Sequence, residues 1–254
     1  MIEVRKRESI YHKEGGSFSA NWHFSFDEYD DPANLGFGTL RVFNDETLRP
    51  GAAWPMHAHR DVEAIIYVVA GTFEHRDSLG NDGVLPPGSV QRATLGRGMW
   101  HAEANHSPTE PLRFLQMWIV PRVQGLEPSV EQRTFAPHER ANRLLPVVTP
   151  SGVGTVKVHQ NASVFVAALD QEAMVGHDFL PGMGAYVFLI RGAVTLDGVP
   201  LAEGDAARVW GEDRLAIRAS APAELLLVEV EVEVEQPEGP AAGDEERQEA
   251  EETE

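Results

Sequence analysis

Apolar residues along this chain come in short runs, and few segments repeat them at the spacing of a helix face. The clearest runs are "AIIYVVAG", "GTFEHRDSLGNDG", "RFLQMWIVP", "AYVFLIRGAVTLDG" and "ELLLVEVEVEVE", all rich in branched or aromatic residues and bounded by turn formers. That rhythm predicts an all-β protein of the sandwich or barrel type. Gly80-Asn81-Asp82-Gly83 and Asp197-Gly198 supply the positive φ angles that tight hairpins need.

Two stretches echo each other: "IIYVVAGTFEHRDSLGNDGVLPPGSV" (65–90) and "YVFLIRGAVTLDGVPLAEGDAARV" (186–209). Each reads as an apolar strand, a glycine, a second strand, a turn, a short Gly-containing element and a third strand. A repeat of this kind predicts two similar β-barrels in tandem. Between them, "PRVQGLEPSVEQRTFAPHERANRLLPVVTPSGVG" is rich in Pro, Gly and charge and reads as an interdomain connection. The expected division is a first domain over 1–135, a second over 136–232 and an acidic disordered tail over 233–254. The tail composition "EQPEGPAAGDEERQEAEETE" lacks aromatic and branched aliphatic residues, so it has nothing with which to build a core.

Charge narrows the function classes. The 254 residues carry a formal net charge of −19, and from Glu229 onward 12 acidic residues face one arginine. An acidic body with an acidic appendage repels phosphate, which argues against direct nucleic-acid or anionic-membrane binding. With no cysteine, disulfides, thiolate chemistry and Cys-ligated metals are excluded, so any metal must be held by His and carboxylates. The opening "MIEVRKRESIYHKEGG" lacks the apolar stretch of a signal peptide, and "AIIYVVA" is far too short to span a bilayer. The expectation is a cytoplasmic protein, with a monomer preferred.

The stretch "PMHAHRDVE" (55–63) places His57 and His59 on one face of a strand, because strand side chains alternate. In "GRGMWHAEAN", His101 and Glu103 share a face in the same way. On neighbouring strands of one barrel, the two pairs would offer three imidazoles and a carboxylate to one ion. Glu63 has the strand parity of His59 and competes with Glu103 as the carboxylate; spacing does not choose between them. His12, His23, His138, His159 and His177 have no ligand-spaced partner and read as surface or carbonyl-bonded residues. His75, in a charged strand-to-turn context, reads as structural or surface, and His106 as a loop residue.

These motifs resemble a known family. "GAAWPMHAHRDVE" resembles the first cupin motif, and "LPPGS" the Pro-x-Gly turn of the second. "HAHRDVEAIIYVVAGTFEHRDSLGN" followed by "GRGMWHAE" is similar to the pirin family of bicupins, as are "WHFSFDEYDDPANLGFGTLRVFND" and "RFLQMWIVP…EPSVEQRTF". The likeness is strong over about 1–135 and looser beyond. It implies an all-β bicupin of two jelly-roll-like barrels, with His57, His59, His101 and Glu103 as ligands of one divalent metal. Glu63 then becomes a supporting or structural group. Ala58 stands where the family often has Pro, and the second half has no His-x-His, so the second barrel is expected to be structural.

The resemblance further implies a dioxygenase of the quercetin 2,3-dioxygenase type, opening a flavonol with O2 and releasing carbon monoxide. Imidazoles, a carboxylate and open positions suit Fe(II), with Mn, Co, Ni, Cu or Zn as alternatives. Glu103 could also act as a base toward a bound phenol. Glu63, Glu74 and Asp77 are candidate partners for the second N–H of the ligand imidazoles. Met99, Trp100, Phe37, Met117 and Trp118 are candidate walls for a flat aromatic substrate. The alternative function is a non-enzymatic, iron-dependent regulator that binds a protein partner, as eukaryotic pirins do.

Overall fold

The computed structural model describes residues 1–232; the stretch 233–254, read above as a disordered tail, lies outside the described residues. The chain opens with β1 (Ile2–Arg5), β2 (Tyr11–Glu14), β3 (Phe18–Trp22) and β4 (Leu40–Leu48). Next come β5 (Ala53–His59), β6 (Glu63–Ala70), β7 (Phe73–Asp77) and β8 (Asp82–Leu85). The first half is completed by β9 (Ser89–Thr94), β10 (Met99–Asn105), β11 (Leu112–Ile119) and β12 (Ser129–Thr134). The second half begins with β13 (Leu145–Thr149), β14 (Val156–Lys157), β15 (Ala162–Leu169), β16 (Met174–Asp178) and β17 (Met183–Arg191). It ends with β18 (Ala193–Leu196), β19 (Val199–Ala202), β20 (Ala206–Trp210), β21 (Arg214–Ala219) and β22 (Ala223–Glu231). The helical content of the described residues is two 3₁₀ turns, Arg7–Ser9 and Pro137–Arg140.

Each half is a seven-stranded sheet facing a four-stranded one. The first pair has the orders β12-β9-β6-β11-β4-β3-β2 and β5-β10-β7-β8; the second has β1-β20-β17-β22-β15-β13-β14 and β16-β21-β18-β19. The four-stranded orders match strand for strand, as do the central strands β9-β6-β11-β4 and β20-β17-β22-β15, which bears out the tandem all-β architecture; the edges differ, β2 pairing β3 antiparallel and β14 pairing β13 parallel. The echo glycines show why. Gly71 and Gly192, each closing an apolar strand, have φ of 79° and 88°. A Cβ on Gly71 would run into the backbone of Pro111 and Leu112, and one on Gly192 into that of Pro222 and Ala223. Both halves therefore need glycine at the same tight approach. The turn at Asp197-Gly198 joins β18 to β19 as expected, with both residues at positive φ.

The two seven-stranded sheets pack on each other, so their central strands are buried on both faces. Along β6, Ile65 and Tyr67 enter the core between the halves while Ile66 and Val68 enter the first barrel. Along β17, Tyr186, Phe188 and Ile190 join the shared core, and Ala185, Val187 and Leu189 fill the second barrel. This is why "AIIYVVA" and "AYVFLI" read as continuous apolar runs rather than alternating ones.

Two details differ from the sequence expectation. Much of the Pro/Gly-rich stretch read as a connection is ordered strand: β12 forms the edge of the first large sheet by pairing with β9, and β13 pairs with β15 in the second. As an edge strand, β12 is only half-buried, so its polar residues gave no core signal. In addition, β1 pairs with β20, within the sheet of the second half. No helix among the described residues is long and apolar enough to cross a membrane.

Candidate metal centre

Strand alternation and one bulge build the site. β5 and β10 pair antiparallel, with His57 opposite His101 and His59 opposite Met99. The register then shifts: Glu103 lies opposite Trp54, so Pro55 and Met56 face the single residue Ala102. A bulge accommodates Pro55, which has no N–H to give a ladder. The ligand atoms of His57, His59 and His101 all lie within 4.8 Å of one another. Glu103 is buried beside them, its Oε1 3.0 Å from His101 Nδ1 and its Oε2 3.9 Å from His57 Nε2. It stands at the edge of the imidazole cluster rather than inside it.

Hydrogen bonds fix which nitrogens are free. His57 Nδ1 lies 2.8 Å from the Pro55 carbonyl, which can only accept, so the proton sits on Nδ1 and Nε2 keeps its lone pair. His101 Nδ1 donates to Glu103, and His101 Nε2 is buried with no hydrogen-bond partner. A buried orphan nitrogen in a ring of imidazoles is what a metal would satisfy. Burial, reinforced by His57 and His101, lowers His59 to about 4, so this ring is neutral near pH 7. Burial pushes Glu103 up, but the His101 hydrogen bond and the facing imidazoles outweigh it and leave the carboxyl below its usual range. The neutral His59 ring, the unpartnered His101 Nε2, the free His57 Nε2 and the carboxylate beside them form a donor set that can hold a divalent metal ion.

The candidate partners of the ligand rings lie elsewhere. Asp77 accepts from His75 Nε2 at 3.1 Å, and His75 is fully buried on β7 directly opposite Glu103, not on the surface. Glu74 pairs with the exposed His106. Glu63 is fully buried and accepts from the His159 backbone N–H (2.7 Å) and the Thr94 hydroxyl (2.9 Å), with His159 Nδ1 at 2.9 Å. It ties the first half to the loop after β14. Nor are His23 and His177 surface residues: both are buried, His23 within 2.8 Å of the Tyr186 hydroxyl and His177 beside Glu229.

A cavity of about 410 Å³ opens above the histidines. Of the candidate walls, Trp118 lines it and its ring meets His59 edge-on at 4.6 Å. Met99 and Met117 are core residues, Phe37 borders a different cavity with Trp210, and Trp100 is 56% exposed on the outer face of β10. The walls that spacing missed are Phe18, Trp22, Phe26 and Trp54, with Glu46 and Gln116 as polar members. They come from β3, β4, β11, the loop after β3 and the start of β5. In "RVFNDETL" the glutamate stands among other polar residues, and its barrel-facing position emerges only from the pairing of β4 with β3 and β11.

Comparison with known proteins agrees with this geometry. The family model described as Pirin matches residues 3–119, and that described as Quercetinase C-terminal cupin domain matches 147–230. The "Quercetin 2,3-dioxygenase" of Escherichia coli is 35% identical over 231 residues, covering 91% of this chain and 99% of its own. A "Pirin-like protein" of Caulobacter vibrioides is 32% identical, covering 90% and 99%. The crystal structure of the bacterial pirin YhhW from Escherichia coli, in complex with nickel(II), superposes with a TM-score of 0.87 at 34% identity. It covers 92% of this chain and all of that one. Sequence and overall structure therefore agree, and the chain belongs to the pirin family of bicupins.

Proposed function

We propose that this protein is a metal-dependent dioxygenase of the quercetin 2,3-dioxygenase type, cleaving flavonols or related enolised phenolics with O2 and releasing carbon monoxide. The observation that carries the reading is the joining of three imidazoles and an ionised carboxylate to an aromatic-walled cavity of about 410 Å³. That volume suits a flat three-ring molecule, for which roughly 300 Å³ or more is needed.

His57, His59 and His101 are the proposed metal ligands, with Glu103 as the fourth. A divalent ion bound there, Fe(II) in our reading, supplies a Lewis acid that acidifies the phenolic hydroxyl and a template for the reactants. The protein's own contribution is to prepare the surroundings. The Pro55 carbonyl and Glu103 hold two imidazoles with Nε2 free. Glu103, kept ionised, takes the proton of the flavonol 3-hydroxyl. Trp54, Phe26 and Trp118 flank the ring system and exclude water.

The test is anaerobic reconstitution with Fe(II), addition of quercetin and O2, and detection of carbon monoxide as the flavonol absorption disappears. His101→Ala should lose bound metal, assayed by elemental analysis, and lower turnover by at least about 100-fold. Wild-type turnover in a metal-free His101→Ala protein would refute the reading.

A further inference from the structure

Seven carboxylates are buried among the described residues: Asp45, Glu46, Glu63, Asp77, Glu103, Asp205 and Glu224. Six have a basic or imidazole partner: Arg113, His159, His75, His101, Lys6 and the Arg140–Arg191 pair, in the order Asp45, Glu63, Asp77, Glu103, Asp205, Glu224. Glu46 has none. Its Oε1 accepts from Asn44 Nδ2 at 3.1 Å, and its neighbours across the cavity are the Trp54 indole and Glu103.

A carboxyl group taken out of water without a cation is costly, and a purely structural position would be occupied more stably by an apolar residue. Glu46 sits where that cost can be recovered. β4 directs it into the first barrel, between the barrel-facing Asn44 and Leu48, and it borders the same cavity as His57, His59 and Trp118. The rest of the wall is Phe18, Trp22, Phe26, Trp54, Pro55 and Trp118, and apart from the imidazoles and Glu103 its other polar members are Gln116 and Asp27, of which Asp27 is exposed.

Taking the flavonol reading of the cavity as its basis, we propose that Glu46 selects polyhydroxylated ligands, its carboxyl hydrogen-bonding a ring hydroxyl other than the one that engages the imidazole cluster. Burial, with Glu103 nearby, pushes Glu46 up to about 7 against the Asn44 and Trp54 donors. A ring hydroxyl can bond to the carboxyl in either of its forms, donating to a carboxylate oxygen or accepting from the acid O–H.

The experiment compares quercetin with 3-hydroxyflavone, which keeps the chelating hydroxyl and lacks all others. Binding to the nickel-loaded protein, without oxygen, is read by quenching of tryptophan fluorescence. Glu46→Leu should weaken quercetin about tenfold and leave 3-hydroxyflavone within about twofold, and Glu46→Gln should restore quercetin binding. Metal content should match wild type in both variants. Glu46→Asp, which shortens the reach, carries the same comparison should the leucine variant not fold. Equal losses for both ligands, or no loss for quercetin, would overturn the role of Glu46 alone. Wild-type protein that binds neither compound would remove the flavonol reading and this inference with it.

Discussion

The hairpin-like pairs β5–β10 and β16–β21 occupy corresponding places in the two barrels, yet their inward faces have opposite chemistry. In the first, His57 lies opposite His101, and His59 and Glu103 complete a polar cluster below a cavity. In the second, His177 lies opposite Leu215 and Val175 opposite Ile217, and the barrel interior is filled by Leu215, Ile217, Ala219, Val187 and Leu189. His177 itself is wedged between Phe165 and Phe179. One frame thus tolerates either filling. Aliphatic side chains fill the second barrel, whereas the first carries buried imidazoles and carboxylates, whose cost the proposed metal chemistry would explain.

The contrast can be broken in order of expected effect. Glu103→Gln keeps the shape and removes the charge; turnover of the Fe(II) protein should fall about 10²–10⁴-fold while much of the metal is retained. Unchanged turnover would mean the carboxylate has no proton to take. In the second barrel, Leu215→Ala should cost about 2–5 kcal/mol in denaturant unfolding, with metal content per folded protein unchanged. Metal loss in parallel would show that the halves do not divide their roles.

A third effect, spread over the acid pH range and small at neutral pH, lies at the seam. His23, from the first half, is fully buried against Tyr186 of the second, and burial, with Arg5 nearby, lowers it to about 3. The unfolded chain takes up this proton as pH falls below about 6.5 and the folded one only near 3. Stability is therefore lost as pH drops through that window, by up to about 1.4 kcal/mol per unit. His23→Gln should flatten the slope by one proton; an unchanged slope in urea titrations would place the titrating group elsewhere.

Much of this was legible from the sequence because strand periodicity is short. A two-residue spacing is enough to place His57 with His59 and His101 with Glu103, and the echo around Gly71 and Gly192 gave the tandem. What depended on distant pairing was not legible. Phe18, Trp22 and Trp54 reach the cavity only because β3, β4 and β5 curl round it, and Trp100 looked like a wall although it faces outward on the same strand as His101. His75 and Asp77 are two apart on β7, the spacing of His101 and Glu103, but their charged surroundings read as a turn; His159 had no such neighbour, because Glu63 lies 96 residues away in the chain. Glu46 was hidden among the charges of "NDETL", where only three-dimensional packing separates a solvated acid from an isolated one.

The pairing of β1 with β20 has a consequence for how the molecule is made. Ile2 is matched to Val209, and Lys6 and the Arg7 N–H both reach Asp205. At roughly 5–20 residues per second, a ribosome emits β1 on the order of 10–40 s before its partner strand exists. Until then β1 has no strand to pair with, and this edge of the second sheet is completed only when β20 is made. A gene cut near residue 135 would separate strand from sheet, so two halves that look like beads on a string are laced together by their earliest segment.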